Sequence, residues 1–279
     1  VMSDVAQRRD LSDPRTIEDF AATVQTTERL KHLLVLTEVD INAVGPGVWN
    51  GWKAKLISEL YFETQALLIG AGGIINRGER LAAAQAAFSH ALSEDWTPRQ
   101  LSAYMRLHSE AYWLNFHIDV RVHHAALIEK SKTQPLIIDA RPDPERACTE
   151  ITVICQDDAG LFARLSGACA RADMDILDAR ISTTTNGLAV DVLHVQEAGR
   201  FAPPELAPIQ RLRKAMRAAL EGSVNLNHPP HEEMSERTRR TLKTFDLETQ
   251  INFDNQASEH ASVLEISTLD RPGLLFDLA

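Results

Sequence analysis

The chain has no cysteine pair at metal-ligand spacing, no excess of positive charge and no long apolar run. Its three cysteines, Cys148, Cys155 and Cys169, are seven and fourteen residues apart, which fits no C-x-x-C pattern. An odd number at such spacings reads as reduced thiols acting as small buried hydrophobes, not as a disulfide framework. There are 39 Asp plus Glu against 29 Lys plus Arg, a formal net charge of -10. That balance argues against nonspecific binding to nucleic acid or to an anionic membrane, both of which need clustered positive charge. No apolar run approaches the ~20 residues of a membrane span. The first twenty residues carry Arg8, Arg9, Asp10 and Asp13, so no secretory leader is visible and a cytoplasmic location is expected. The G-x-x-x-x-G-K-[ST], G-x-G-x-x-G and H-E-x-x-H motifs are absent, as is any His-Asp dipeptide.

What is present is a globular composition, 44% apolar and 24% charged, over 279 residues. The first 133 or so residues carry helical periodicity. Ser12-Asp13-Pro14 supplies a cap followed by proline at the first helical position. A second helix from Thr27 places Leu30, Leu33, Leu34, Ile41 and Val44 on one face and stops at Gly45-Pro46-Gly47. A third, from about Val48 to Leu68, carries Trp49, Trp52, Leu56, Leu60 and Leu67. Thr97-Pro98-Arg99-Gln100 is a capping box. His123 and His124 are adjacent, point in different directions on a helix and read as surface residues.

The period then shortens to two. Ile151, Val153 and Cys155 alternate with Thr152, Ile154 and Gln156, a strand. A helix over Gly160–Ala172 follows, then strands over Ile176–Thr184 and Leu188–Gln196 around Asn186-Gly187, a strong hairpin signal. A helix after Pro203-Pro204 and a strand over Thr249–Phe253 complete a β-α-β-β-α-β order, the ferredoxin-like arrangement. The closing strand comes after a polar, charged insertion near residues 225–245.

The segment from Ile151 to Phe162 then recurs from Leu264 to Leu275 at an offset of 113 residues. Asp157 falls on Asp270, Gly160 on Gly273 and Leu161 on Leu274, so one module occurs twice. The expected fold is therefore α + α/β: an all-helical part over 1–133, a ferredoxin-like module over 134–256 and the start of a second over 257–279. The termini suggest a piece of a longer protein, cut within the second module.

The acidic turn Asp157-Asp158-Ala159-Gly160-Leu161 is the clearest chemical constellation. Its carboxylates can cap the first amides of the following helix, or those amides can bind a small anion such as an amino-acid carboxylate while an Asp holds the amine. Gly160 allows close approach or a positive φ. Asp40 is the second candidate. It falls inside the apolar arc of Leu33, Leu36 and Val44, where a carboxylate needs a cationic partner or a divalent metal. Arg8 and Arg9 could contact a phosphate or form structural ion pairs.

Two stretches carry a resemblance. Val5–Pro14, with Gln7-Arg8-Arg9-Asp10, and Leu36–Lys53, with Gly45-Pro46-Gly47-Val48-Trp49-Asn50-Gly51-Trp52, resemble the later part of the HD domain of bacterial PII uridylyltransferase/uridylyl-removing enzymes. Thr149–Val153, Asp175–Thr185 and Asp270–Leu275 resemble that family's two C-terminal ACT domains. The resemblance implies a glutamine sensor that transfers UMP from UTP to PII signal protein and hydrolyses it off again, supported by magnesium or manganese. It implies that Asp40 matches the last metal-binding Asp of an HD domain. It also implies that Asp157, Asp158, Gly160 and Leu161, and in the second copy Asp270, Arg271, Gly273 and Leu274, form glutamine-binding turns. Ala159 stands where the family more often has Pro, and Asn42 where it often has Arg. The other HD ligands and the nucleotidyltransferase signature have no match in this sequence, so the chain alone is expected to be inactive. Two other readings compete: an amino-acid-binding regulatory module without catalysis, and the regulatory part of a guanosine-tetraphosphate synthetase/hydrolase.

Overall fold

The computed structural model describes residues 1–11, 13–44, 49, 51–69, 77–198, 205–222, 249–255, 262–268 and 273–279. The breaker sequences at 45–47 and 70–73, the prolines at 203–204, the insertion near 225–245 and the residues Asp270 and Arg271 lie outside them.

Helices α1 (Met2–Arg8), α2 (Pro14–Val24), α3 (Thr27–Val44) and α4 (Gly51–Leu68) share one core, built on Met2, Phe20, Leu30, Ile57 and Leu60. As the cap signal predicts, Asp13 accepts a hydrogen bond from the Arg15 amide and Pro14 opens α2. Helices α5 (Arg77–Ala91), α6 (Pro98–Met105), α7 (Glu110–Asn115) and α8 (Ile118–Ser131) form a second group. The capping box holds: Thr97 and Gln100 bond each other's backbone. Here Phe88, Tyr104, His108, Tyr112 and Trp113 pack as an aromatic cluster.

Strands β1 (Ile137–Asp143), β2 (Cys148–Gln156), β3 (Met174–Arg180) and β4 (Leu188–Glu197) make an antiparallel sheet in the order β1-β2-β4-β3. Its two faces follow the period of two. Ile151, Val153, Ala189 and Leu193 pack under α9 (Leu161–Arg171) and α10 (Leu206–Leu220). Ile154, Val190 and Val192 face the other way and join the core of the second helix group. Both faces are therefore covered, and β4 is buried almost from end to end.

The β-α-β-β-α-β expectation needs a correction. The fourth place in the sheet, beside β2, is filled by β1 from the front of the module. The strand expected to close it, β5 (Gln250–Asp254), pairs instead with β6 (Val263–Ser267) in a separate two-stranded sheet, followed by the five-residue α11 (Leu274–Leu278). The observed order is β-β-α-β-β-α. Topologically this leaves a ferredoxin-like sheet whose edge strand arrives first instead of last. The offset of 113 extends to this strand as well, since Ile137↔Ile154 in the first hairpin corresponds to Gln250↔Ser267 in the second.

Two further expectations change. The face of α3 assigned to the core is only partly buried: Leu30 and Ile41 are inside, but Leu36 is 64% and Val44 73% exposed. His124 is fully buried with its Nδ1 3.2 Å from the Tyr112 hydroxyl, and His123 meets Asp139 at 2.9 Å, so neither is a free surface residue. The cysteines are free thiols, their pKa values pushed up to about 12, 11 and 12 at positions 148, 155 and 169, chiefly by burial.

Candidate functional site

The turn between β2 and α9 is set by its glycine. Gly160 has φ of +73°, a left-handed conformation that costs an L side chain about 1 kcal/mol or more. A Cβ built there meets nothing within 4 Å, so the space beside the turn is open. Gly273 repeats the conformation with φ of +80°. Both copies thus enter their helices by the same backbone step.

The carboxylates act differently from the capping expectation. No side chain caps α9. Asp157 accepts a hydrogen bond from the Thr183 hydroxyl at 2.9 Å, and Asp158 pairs with Arg164 at 2.9 Å. Arg164 also donates to the Ala159 carbonyl at 3.1 Å, while its Nε is buried without a partner. The Asp157 amide donates to Gly187 at the opposite hairpin, tying the turn to the β3–β4 loop. Leu161 turns inward and belongs to the core, so its side chain anchors the turn and does not line an open site.

Asp191, on β4 opposite Val153, was not singled out in the sequence. It is 1% exposed, on the sheet face covered by α9 and α10. Burial pushes its pKa up to about 7, against a hydrogen bond from the Ser182 backbone amide and with a smaller contribution from the charge of Asp157. In an alternating strand a polar residue marks the wet face. Here the sheet has no wet face at that position.

A second polar cluster sits on the opposite face of the sheet. His194 is 5% exposed and lies 3.7 Å from Glu150 and 3.5 Å from Asp178. Glu150 is also held by Arg141 at 2.5 Å. Burial works against the Glu150 carboxylate, but the hydrogen bonds and charges of His194 and Arg141 outweigh it and hold its pKa at about 2. The same carboxylates raise His194 above its ordinary value, against the burial that favours the neutral ring.

Asp40 lies on the exposed side of α3, on the face of Leu36 and Val44. The argument that its carboxylate is enclosed by apolar residues therefore fails, because that face is open. Among the described residues no group of three His, Cys, Asp or Glu side chains could hold a metal ion. The residues around Asp40 therefore do not by themselves fit magnesium or manganese. Arg8 and Arg9 form ion pairs with Glu265 at 2.8 Å and Asp254 at 3.3 Å, both on the second hairpin. A cavity of about 460 Å³ runs along the residues of β6 from Val263 to Thr268, with Arg8 at its wall. Among the described residues no helix is long and apolar enough to cross a membrane.

Comparison with known proteins adds what geometry cannot. The chain is 41% identical over 280 aligned residues, its whole length, to the bifunctional uridylyltransferase/uridylyl-removing enzyme of Rhodopseudomonas palustris. It is 42% identical to that of Bradyrhizobium sp. (strain ORS 278) and 41% to that of Nitrobacter winogradskyi, in each case over 99% of this chain. The resemblance to the uridylyltransferase/uridylyl-removing family holds along the whole chain. The chain spans about 30% of the length of these relatives. No family model matches it, and no solved structure does.

Proposed function

We propose that this chain is the glutamine-sensing part of an enzyme that uridylylates PII signal protein with UTP and removes the UMP by hydrolysis. The observation that carries the reading is the similarity to uridylyltransferase/uridylyl-removing enzymes over the full chain. The duplicated turn supports the sensing role: two left-handed glycines, each opening a helix after a β-hairpin of the same register. Glutamine is zwitterionic. Its carboxylate suits the uncapped helix start, and its amine suits the acidic turn. In this reading 1–133 is the later part of an HD domain and the helices that follow it, 134–256 a first ACT domain and 257–279 the start of a second. The partners are PII protein, UTP or UMP, and glutamine, with no nucleic acid and no membrane, in the cytoplasm.

Asp40 is proposed as one oxygen ligand of a divalent ion, magnesium or manganese, in a set that the described residues do not complete. Only its match to the HD pattern supports this role. A lone carboxylate does not hold a catalytic metal, so the isolated chain is expected to be inactive. In the full-length enzyme, Asp40→Asn should abolish UMP removal from uridylylated PII and leave UMP transfer intact. Equal loss of both activities would mark Asp40 as a folding residue. The open surroundings of Asp40 favour one second reading, a purely regulatory amino-acid-binding module. Retention of UMP removal by Asp40→Asn would support it.

A further inference from the structure

The described helices belong to two bodies. The α1–α4 core and the core that runs from α5–α8 into the sheet share no side chain among the described residues. Asp40 rides on the first body. The Asp157–Leu161 turn rides on the second. Two sets of contacts lead from the α1–α4 body, one to the four-stranded sheet and one to the separate β5–β6 hairpin, and they fall on the two motifs that carry the sequence resemblance.

The first joint is the start of α4. Gly51 lies so close to the β1–β2 turn that a Cβ on it would be 2.7 Å from the Glu145 carbonyl oxygen. Lys55, one helical turn on, pairs with Glu145 at 3.2 Å. Trp52 stands between two cations or near-cations of the sheet: its ring centroid is 5.3 Å from that of His194, and the Arg146 guanidinium lies 5.8 Å from it. Behind His194 stand the buried Glu150 and the half-buried Asp178 and Arg141. The turn itself is held tight, with Ala147 at φ +52° and its carbonyl accepting from Gln196 at 2.6 Å. The second joint is the pair of bridges from Arg8 and Arg9 to the β5–β6 hairpin.

An apolar interface resists parting in proportion to its area. A half-buried ion cluster is different. Its attraction and its desolvation nearly cancel, so its net contribution is small, yet displacing one partner is costly. Such a contact favours one of two discrete arrangements. Strands β2 and β4 run directly from this joint to the acidic turn. Glu150 and His194 pair at one end; Gln156 and Leu188 pair at the other. Six residues of strand separate them, about 20 Å.

We propose that the Gly51–Trp52 joint, with the Arg8 and Arg9 bridges as its counterpart on the second copy, passes ligand occupancy at the Asp157–Leu161 turn to the α1–α4 body. This rests on the reading of that turn as a glutamine site and of α1–α4 as part of the uridylyl-removing domain. Trp52 and His194 are positioning residues in this scheme: they touch neither glutamine nor the reacting phosphodiester.

The test uses the full-length enzyme with glutamine as the probe. Glutamine binding is measured by calorimetry, and UMP release from uridylylated PII is measured with and without glutamine. Gly51→Ala wedges a methyl group into the joint, His194→Gln removes the charge of the cluster, and Trp52→Phe keeps an aromatic ring there. The expected result is unchanged glutamine affinity and unchanged basal release in all three. The glutamine-dependent change in release falls at least about fivefold in Gly51→Ala and His194→Gln, and Trp52→Phe retains it. A full glutamine response in both Gly51→Ala and His194→Gln overturns the joint while sparing the glutamine site. Parallel loss of basal release and glutamine response overturns it too, by making the joint a folding contact. Absence of glutamine binding to the unmodified enzyme overturns the sensing reading itself, and the joint with it.

Discussion

In the first copy of the repeated unit, β1 and β2 pair from Ile137↔Ile154 and Gly160 turns the chain into α9. In the second, β5 and β6 pair from Gln250↔Ser267 and Gly273 turns it into α11. The backbones correspond residue for residue. The environments do not. Leu165 of α9 is 0% exposed, and its counterpart Leu278 of α11 is 47% exposed. Ile151 is fully buried, and its counterpart Leu264 is exposed. The first hairpin packs with a second pair of strands and two helices; among the described residues the second is followed by α11. Local residues are thus enough to set register and turn, but burial comes from elements distant in the chain.

That contrast can be broken most sharply in the core. Leu165→Ala should destabilise the chain by about 2–5 kcal/mol through transfer and cavity terms, whereas Leu278→Ala should cost less than about 0.5 kcal/mol. Urea unfolding of the two variants makes the comparison. Similar losses would mean that the second copy is packed as tightly as the first.

The next effect concerns Asp191, buried because the first sheet is covered on both faces. Its folded-state pKa is raised to about 7 from an ordinary carboxyl value of 3.8. Below about pH 4 both folded and unfolded chains hold the proton and the group costs nothing. As pH rises towards 7 the unfolded chain ionises first, so stability falls, and above that it levels off. Asp191→Asn should therefore stabilise the chain by about 1–3 kcal/mol at pH 8, allowing for the desolvation of a buried amide. The gain should vanish near pH 4. A gain independent of pH would show that repacking and not charge is responsible.

The smallest effect sharpens the part the copies share. Gly160→Ala should cost about 1 kcal/mol from its left-handed backbone alone, because the added methyl meets nothing. Gly273→Ala should carry the same local strain but register only as fraying of α11, visible as faster amide exchange there and no change in global unfolding.

Much of this was legible from residues. The 113-residue offset, the glycine turns, the Thr97 capping box and the Asn186-Gly187 hairpin all depend on neighbours in sequence, and all appear in the structure. What was not legible depends on partners far along the chain. Residues 137–143 lack clean alternation and contain Pro142, which an edge strand tolerates, so β1 gave a weak signal for the place it takes. Asp191 occupies a strand position that reads as solvated until a helix covers it. His124 was judged by its adjacency to His123, which bears on chelation and says nothing about burial. Asp40 shows the reverse error: its apolar neighbours on α3 implied enclosure, yet Leu36 and Val44 are open. Arg8 and Arg9 were ambiguous between anion and ion pair, and their partners Glu265 and Asp254 lie more than 240 residues away.

The most direct measurement is amide hydrogen exchange on the full-length enzyme with and without saturating glutamine. Slowed exchange at the turns around Gly160 and Gly273, with the strands of the first sheet unchanged, is the result expected of two glutamine-binding turns. Unchanged exchange at both glycines under saturating glutamine would contradict it.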